Sequence, residues 1–199
     1  YMDLPGDFMY QPHVYALAKF LGARSEVKWI VDIGCGSGKK LLPLAEKFGI
    51  IGIDSSDGIA LATQCLPKAQ FIEFDLEHGL PPLPEYVLKQ SIVICSDVVE
   101  HLRHPERLLT ALAAVAEISP YVLISTPDRD RARGWLDDGP PGNPAHVMEW
   151  AGTEFVRFMR RCGFKNIQFY GHTINSDFHR VKSTILVLVG VETVCDIRK

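Results

Sequence analysis

The chain has 199 residues, 47% hydrophobic and 23% charged, with 21 Lys and Arg against 24 Asp and Glu for a net charge of −3. That is length for one domain, residues 1–199, with enough apolar side chain to build a core, which argues against disorder. The slight acidity argues against a nucleic-acid partner held through a strongly basic surface.

The opening Tyr1-Met2-Asp3-Leu4-Pro5 holds no basic segment followed by an apolar one, so no secretory leader is expected. No apolar run approaches the roughly 20 residues that cross a bilayer. Cys35, Cys65, Cys95, Cys162 and Cys195 are odd in number and widely spaced, which favours reduced thiols in a cytoplasmic protein. Gln11 to Gly22 reads as one amphipathic helix through Val14, Leu17, Ala18 and Leu21. It is expected within a helical cap, residues 1–25, that either closes over a ligand with Tyr10 or His13 near it or simply covers a sheet.

Strands follow at Trp29–Ile33, Ile50–Asp54, Gln70–Phe74, Ser91–Cys95 and Tyr121–Ser125. Helices lie between them near Lys40–Phe48, Asp57–Leu66 and Pro105–Ile118. Val31, Ile33, Ile51, Ile53, Ile92, Val93 and Ile94 make these strands apolar on both faces, as in a parallel sheet covered by helices on each side. The alternation is that of a doubly wound α/β fold. A helix near Thr153–Cys162 then ends at Gly163, and strands Asn166–Gly171 and Ser183–Val191 follow with only a short polar link. That link is too short for a crossover, so an antiparallel arrangement is expected at this edge. Trp150, Phe155, Phe158 and Met159 fall at helical spacing and are expected in the core.

The strongest motif is Val31-Asp32-Ile33-Gly34-Cys35-Gly36-Ser37-Gly38, a strand running into alternating glycines and then a helix. Glycine serves where the chain turns with positive φ or must approach a ligand closely, and the helix start after it is expected to offer free amides to an anionic group. The next strand ends in Asp54, where a carboxylate can accept both hydroxyls of a ribose, with Ser55 or Ser56 expected to cap the helix. The third strand is expected to end in Asp75, before Leu76, placed to take the exocyclic amine of an adenine. Three such features at successive strand ends describe a nucleoside site. The dinucleotide fingerprint G-x-G-x-x-G fails at its last position, where Lys39 stands and glycine falls at 38 instead.

The Asp-x-Gly-x-Gly-x-Gly run with Asp54 and Asp75 resembles class I S-adenosylmethionine-dependent methyltransferases, from about Trp29 to Val191. The resemblance implies a Rossmann-like seven-stranded sheet of order 3-2-1-4-5-7-6 with one antiparallel strand. It implies S-adenosylmethionine as cofactor, with Gly34, Gly36 and Gly38 beside the methionine part, Asp54 on the ribose, and Asp75 with the Leu76 amide at the adenine. Asp32, Cys35, Ser55, Ser96 and Asp97 are expected to complete that site.

On the acceptor side, Ser96-Asp97-Val98-Val99-Glu100-His101-Leu102 follows the fourth strand. Read as a helix, it sets Asp97, Glu100 and His101 on one face at i, i+3 and i+4. His101 then either acts as general base toward a hydroxyl, packs against the cofactor or caps a helix end. The run is similar to the V-x-E-H of ubiquinone-biosynthesis-type O-methyltransferases, and also to small-RNA 2′-O-methyltransferases, in which such acidic residues and histidines hold a divalent metal. That second likeness implies Asp97 at the first ligand position and His146 completing the set, with a metal not favoured; His146 is also the alternate base.

The pieces Ser125-Thr126-Pro127-Asp128-Arg129 and Asn143 to Trp150 resemble methyltransferases of polysaccharide and secondary-metabolite pathways. Residues 127–150 follow a strand's carboxyl end and form either a substrate-side loop or a solvated excursion. Arg129, Arg131 and Arg133 suit a phosphorylated or carboxylated acceptor, but Asp128, Asp130, Asp137 and Asp138 interleave with them, so internal ion pairing is the stronger expectation there. The expected function is methylation of a small molecule, most readily at oxygen. The alternatives are a metal-assisted RNA 2′-O-methyltransferase, a non-catalytic cofactor-binding subunit, and, last, an NAD-dependent oxidoreductase.

Overall fold

The structure, a computed structural model, describes residues 10–178 and 180–191, so the expectations for Cys195 and for the first nine residues lie outside the described residues. Seven strands form one sheet: β1 (Trp29–Ile33), β2 (Gly49–Asp54), β3 (Gln70–Glu73), β4 (Ser91–Ser96), β5 (Tyr121–Pro127), β6 (Ile167–Thr173) and β7 (Thr184–Val189). Their order is β3-β2-β1-β4-β5-β7-β6, as the glycine-motif resemblance implied. The pairs among β1 to β5 are parallel, and β7 runs antiparallel to both β5 and β6. The helices are α1 (Pro12–Gly22), α2 (Leu42–Ala45), α3 (Ser56–Cys65), α4 (Glu85–Leu88), α5 (Pro105–Ala116), α6 (Arg129–Arg133) and α7 (Gly152–Arg161).

Side chains alternate across a strand, and both faces of this sheet are buried. Val31, Ile33, Val93 and Ile124 face a core shared with Leu108, Leu109 and Leu112 of α5 and with Phe155 and Met159 of α7. Ile30, Ile92, Ile94 and Leu123 face the other core, with Val14, Ala18 and Leu21 of α1. Each fully buried Leu or Ile contributes about 1.5–3 kcal/mol. These two covers hold the sheet, which frees its carboxyl rim for polar groups. Trp150 and Phe155 are buried and Phe158 packs against them, as expected.

Three local expectations are corrected. The helix foreseen over Lys40–Phe48 is a 3-10 turn, Lys39–Leu41, followed by one short α-helical stretch. Pro43 is the reason: its ring and missing N–H fit only the first turn of an α-helix, so regular α-structure starts around it. The third strand stops at Glu73, and Asp75 instead caps a 3-10 turn at Leu76–His78, accepting from the Glu77 amide at 3.0 Å. The segment after β4 is no α-helix: Asp97 has φ 55°, and only a 3-10 turn at Val99–His101 follows. The i, i+3, i+4 face assumed for Asp97, Glu100 and His101 therefore does not exist.

Candidate functional site

The carboxyl ends of β1, β2, β4 and β5 meet at one rim, and the glycine turn lies at its centre. Gly34, Gly36 and Gly38 have φ of 73°, 52° and 73°, conformations that side chains with a Cβ rarely adopt. Gly34 also packs tightly: a Cβ there would lie 2.3 Å from Val98 Cγ2. The glycine turn after β1 is thus pressed against the segment after β4. Four of its amides already have partners. Gly34 and Cys35 donate to the Ile53 carbonyl at 2.8 and 3.3 Å, Gly38 donates to Cys35 at 3.0 Å, and Gly36 donates to Asp54 Oδ2 at 2.7 Å. The turn is a backbone wall and not an open nest for an anion.

The carboxylates divide into two kinds. Asp32 is wholly buried beneath the turn and accepts from the Tyr15 hydroxyl of α1 at 3.1 and 3.3 Å. Burial, then the Asp32 charge, push the Tyr15 phenol well above its ordinary range. Asp54 and Asp75 stand at the edge. Asp54 Oδ1 accepts from both the amide and the hydroxyl of Ser55, so Ser55 occupies the helix N-cap position but turns its hydroxyl to Asp54. Asp75 is exposed beside His78 at 3.2 Å, while Leu76 and Cys35 are buried. Ser96 and Ser125 bridge β4 and β5 through their hydroxyls at 2.8 Å.

Across the rim the polar groups are buried and come from distant segments. Glu100 is wholly buried, with Oε2 accepting from Thr126 at 2.9 Å and Oε1 having no hydrogen-bond partner. Burial, reinforced by the Asp97 charge, pushes its carboxyl well above the ordinary carboxylate range. The Glu100 carbonyl accepts the amides of Val147 and Met148 at 2.7 and 3.2 Å, docking residues 127–150 onto the site. His101 Nδ1 lies 2.9 Å from the Ala145 carbonyl, which only accepts, so Nδ1 carries hydrogen and Nε2 bears the lone pair of the neutral ring. Burial lowers the His101 pKa.

His146 stands edge-on to His101, ring centroids 4.8 Å apart. Its Nδ1 meets Glu149 Oε1 at 2.7 Å, and its Nε2 meets the Asn143 amide nitrogen at 3.0 Å. Arg133 closes that chain, 3.2 Å from Glu149 Oε2. One ligand atom each from Glu100, His101 and His146 lies within 4.8 Å of the others, a set that suits a divalent ion. Asp97, placed first in the metal set by the small-RNA likeness, turns instead to Gln11.

The structure thus gathers Glu100, His101 and His146 and sets the glycine turn beside Asp97, while Asp32 lies underneath. Gln11, Tyr15 and Glu149 were missed as site residues, and Arg133 was foreseen only as an acceptor-holding or ion-paired side chain. Nothing local marks the first two, and the Arg133–Glu149–His146 chain spans a loop whose path the sequence does not disclose. His13 faces Thr173 at 2.7 Å and Tyr10 is exposed, so the cap reaches the rim through Gln11. The expected ion pairing holds for Arg129 with Asp130 and Arg133 with Asp137, and it extends to Glu154 and Glu149.

A sequence model described as a methyltransferase domain matches residues 12–169. The chain is 27% identical over 167 residues to a ubiquinone biosynthesis O-methyltransferase of Cupriavidus pinatubonensis, covering 74% of this chain and 64% of that protein. It is 38% identical over 93 residues to a trans-aconitate 2-methyltransferase of Afipia carboxidovorans, covering 45% of this chain and 36% of that protein. The chain therefore spans less than two thirds of these relatives. Among solved structures, the small RNA methyltransferase HEN1 has the same fold, with a TM-score of 0.67 at 18% identity over 96% of this chain and 27% of that one.

Proposed function

The chain belongs to the methyltransferase-domain family, and from that premise we propose that it methylates an oxygen of a small-molecule acceptor, with S-adenosylmethionine as donor. The observation that carries this reading is the glycine turn with its amides already engaged. A pyrophosphate finds few donors there, whereas a sulfonium with an adenosine and an amino-acid end needs a close backbone wall and carboxylates at the rim. Asp54 and Asp75 supply the carboxylates, for ribose hydroxyls and for the adenine edge. The relatives named for O-methylation and for trans-aconitate methylation point to small acceptors without fixing one.

The donor's sulfonium supplies an already activated methyl group, so the protein's task is placement of the acceptor and removal of its proton. His101 Nε2 would take the acceptor's proton as that methyl group passes from sulfur to the acceptor oxygen. The Ala145 carbonyl fixes the ring's orientation for this, and the lowered pKa keeps the ring neutral. His146, held by Glu149, is the alternate base. Residues 127–150, docked on the Glu100 carbonyl, supply the acceptor-side wall.

One observation favours a second reading: the Glu100, His101 and His146 ligand atoms stand together, and Glu100 Oε1 is buried with no hydrogen-bond partner. This donor set fits a divalent cation, which would act as a Lewis acid toward an acceptor oxygen. Exhaustive chelation separates the two readings: activity that survives it removes the ion from the reaction. A nicotinamide reading fares worse. Tyr15 and Lys19 do stand at Tyr-x-x-x-Lys spacing, but the Tyr15 hydroxyl is buried against Asp32 with its pKa raised, unsuited to giving up a proton.

Calorimetry tests the donor. S-adenosylmethionine and S-adenosylhomocysteine are expected to give saturable heats and NAD none; silence toward both adenosyl ligands overturns the proposal. Saturable donor binding without turnover of any phenol, carboxylic acid, sugar, amine or RNA returns the non-catalytic reading.

A further inference from the structure

Arg129, Arg131 and Arg133 all stand on α6, and helical geometry separates them. Arg129 and Arg133, at i and i+4, share one face, and Arg131 points away from it. The shared face is neutralised: Arg129 pairs with Asp130 and Glu154 at 3.1 Å each, and Arg133 with Asp137 at 3.1 Å and Glu149 at 3.2 Å. Arg131 has no carboxylate partner among the described residues, and its Nη1 reaches only the Lys182 carbonyl, at 3.5 Å. A guanidinium has five donors, so one marginal contact leaves most of its bonding capacity unused.

Strand β6 brings a second donor to the same place. The Tyr170 hydroxyl fills the space where a Cβ on Gly152 would sit, a point 3.1 Å from Asp128 Oδ2, and it has no hydrogen-bond partner among the described residues. Burial, then the Asp128 charge, raise this phenol above its ordinary value, and the Arg131 charge opposes them, so the guanidinium lies near the hydroxyl. The Asp128 carboxylate consumes neither side chain. It is buried, its Oδ1 accepts the Arg131 amide at 3.1 Å, and its Oδ2 meets His172 Nε2 at 2.7 Å. The His172 ring stands edge-on to Tyr170, centroids 5.7 Å apart, and steadies it.

One buried acid, engaged by a histidine and an amide, thus seats a fork of N–H groups and a phenolic O–H that remain unspent at the surface. Lys182, exposed beside Arg131, adds positive charge. This set matches a carboxylate or phosphate, whose oxygens a guanidinium binds in pairs. The helix that carries Arg131 also carries Arg133, which holds Glu149 and through it His146, so the place adjoins the acceptor-side wall.

We propose that the Arg131 guanidinium and the Tyr170 hydroxyl form a receptor for an oxyanion, the carboxylate or phosphate of a small-molecule ligand. It rests on the methyl-transfer reading above only in naming that ligand, the molecule to be methylated. Arginine Nε and tyrosine ring-carbon signals are followed by NMR as inorganic phosphate or tricarballylate, a tricarboxylate, is added at constant ionic strength. The Arg131 and Tyr170 signals are expected to shift saturably, and the tighter of the two anions identifies the oxyanion. Arg131→Met keeps the apolar stem and removes the fork, and is expected to weaken binding, read at Tyr170, at least about tenfold. Tyr170→Phe keeps the ring against His172 and is expected to lose several-fold, read at Arg131. Arg157→Met removes the same charge from an exposed position of α7 and is expected to stay within about twofold of the parent.

Absence of a saturable shift with both anions overturns the receptor, and so does equal weakening by Arg157→Met, which reduces it to diffuse attraction. In turnover, Arg131→Met is expected to raise KM about tenfold for an acceptor bearing a carboxylate or phosphate, with kcat within about twofold. An unchanged KM, or turnover confined to acceptors without such a group, overturns the acceptor as the ligand. Saturable anion binding without methylation of any acceptor is a different failure, that of the methyl-transfer reading itself.

Discussion

The two halves of the rim are built by different means. Around β1 to β3 the site is made of backbone: three positive-φ glycines, turn amides already engaged, and rim carboxylates that pair with near neighbours in the chain as well, as Asp54 does with Ser55 beside the Gly36 amide and Asp75 with Glu77. Around β4 and β5 it is made of buried side chains that reach one another across the chain, Glu100 to Thr126 and His101 to Ala145, 44 positions apart. A wall of backbone fixes shape, whereas a cluster of buried titratable groups fixes proton positions. The half proposed to hold the donor should accordingly break through conformation, and the half proposed to hold the acceptor through chemistry.

The harshest test of that contrast is Gly34→Ala. The new Cβ meets Val98 Cγ2 at 2.3 Å on a backbone at φ 73°, combining overpacking with left-handed strain at a cost of about 3 kcal/mol. For a domain of this length that lowers the melting temperature by roughly 6–12 °C, with donor affinity falling alongside. A variant that melts and binds like the parent would mean the turn is far softer than its packing implies. Gly38→Ala, facing Ala62 at 3.3 Å, should cost less.

His101→Ala probes the other half. Turnover on any acceptor found is expected to fall on the order of 100-fold, with the donor dissociation constant within about twofold of the parent. Parallel loss of turnover and donor binding would remove the proton-accepting role.

The smallest effect is a pH dependence. Burial raises the Glu100 carboxyl in the folded protein above its unfolded value, about 4.3. Stability associated with the protonated form is therefore complete below that value and is lost as pH rises through the raised one. In chelator-treated protein, Glu100→Gln should melt like the parent near pH 4 and a few degrees above it at pH 8. A melting difference independent of pH would show that the buried carboxyl does not titrate as its surroundings demand.

These halves also differ in how far the sequence discloses them. The strands are apolar on both faces, and strand–turn–helix alternation with glycines at 34, 36 and 38 is a short-range code, so the layered sheet and the place of the glycine turn were readable, while the sheet order followed from the family resemblance. Even there, local chemistry set limits: Pro43 cut a foreseen helix short, and Asp75 capped a turn instead of ending a strand. Past β4 a helical reading of Asp97 to His101 failed because the side chains that hold Asp97 in a left-handed conformation, Gln11 above all, arrive from elsewhere in the chain.

What the sequence determined alone is the layered architecture and the place of the glycine turn, because both follow from periodicity and from residues close to one another along the chain. Only the tertiary structure decided that Asp32 lies beneath the site, that His101 and His146 stand together, and that Gln11 reaches Asp97. Those contacts depend on where loops of no regular period come to rest, and the burial of one partner against another, not any local propensity, selects that position.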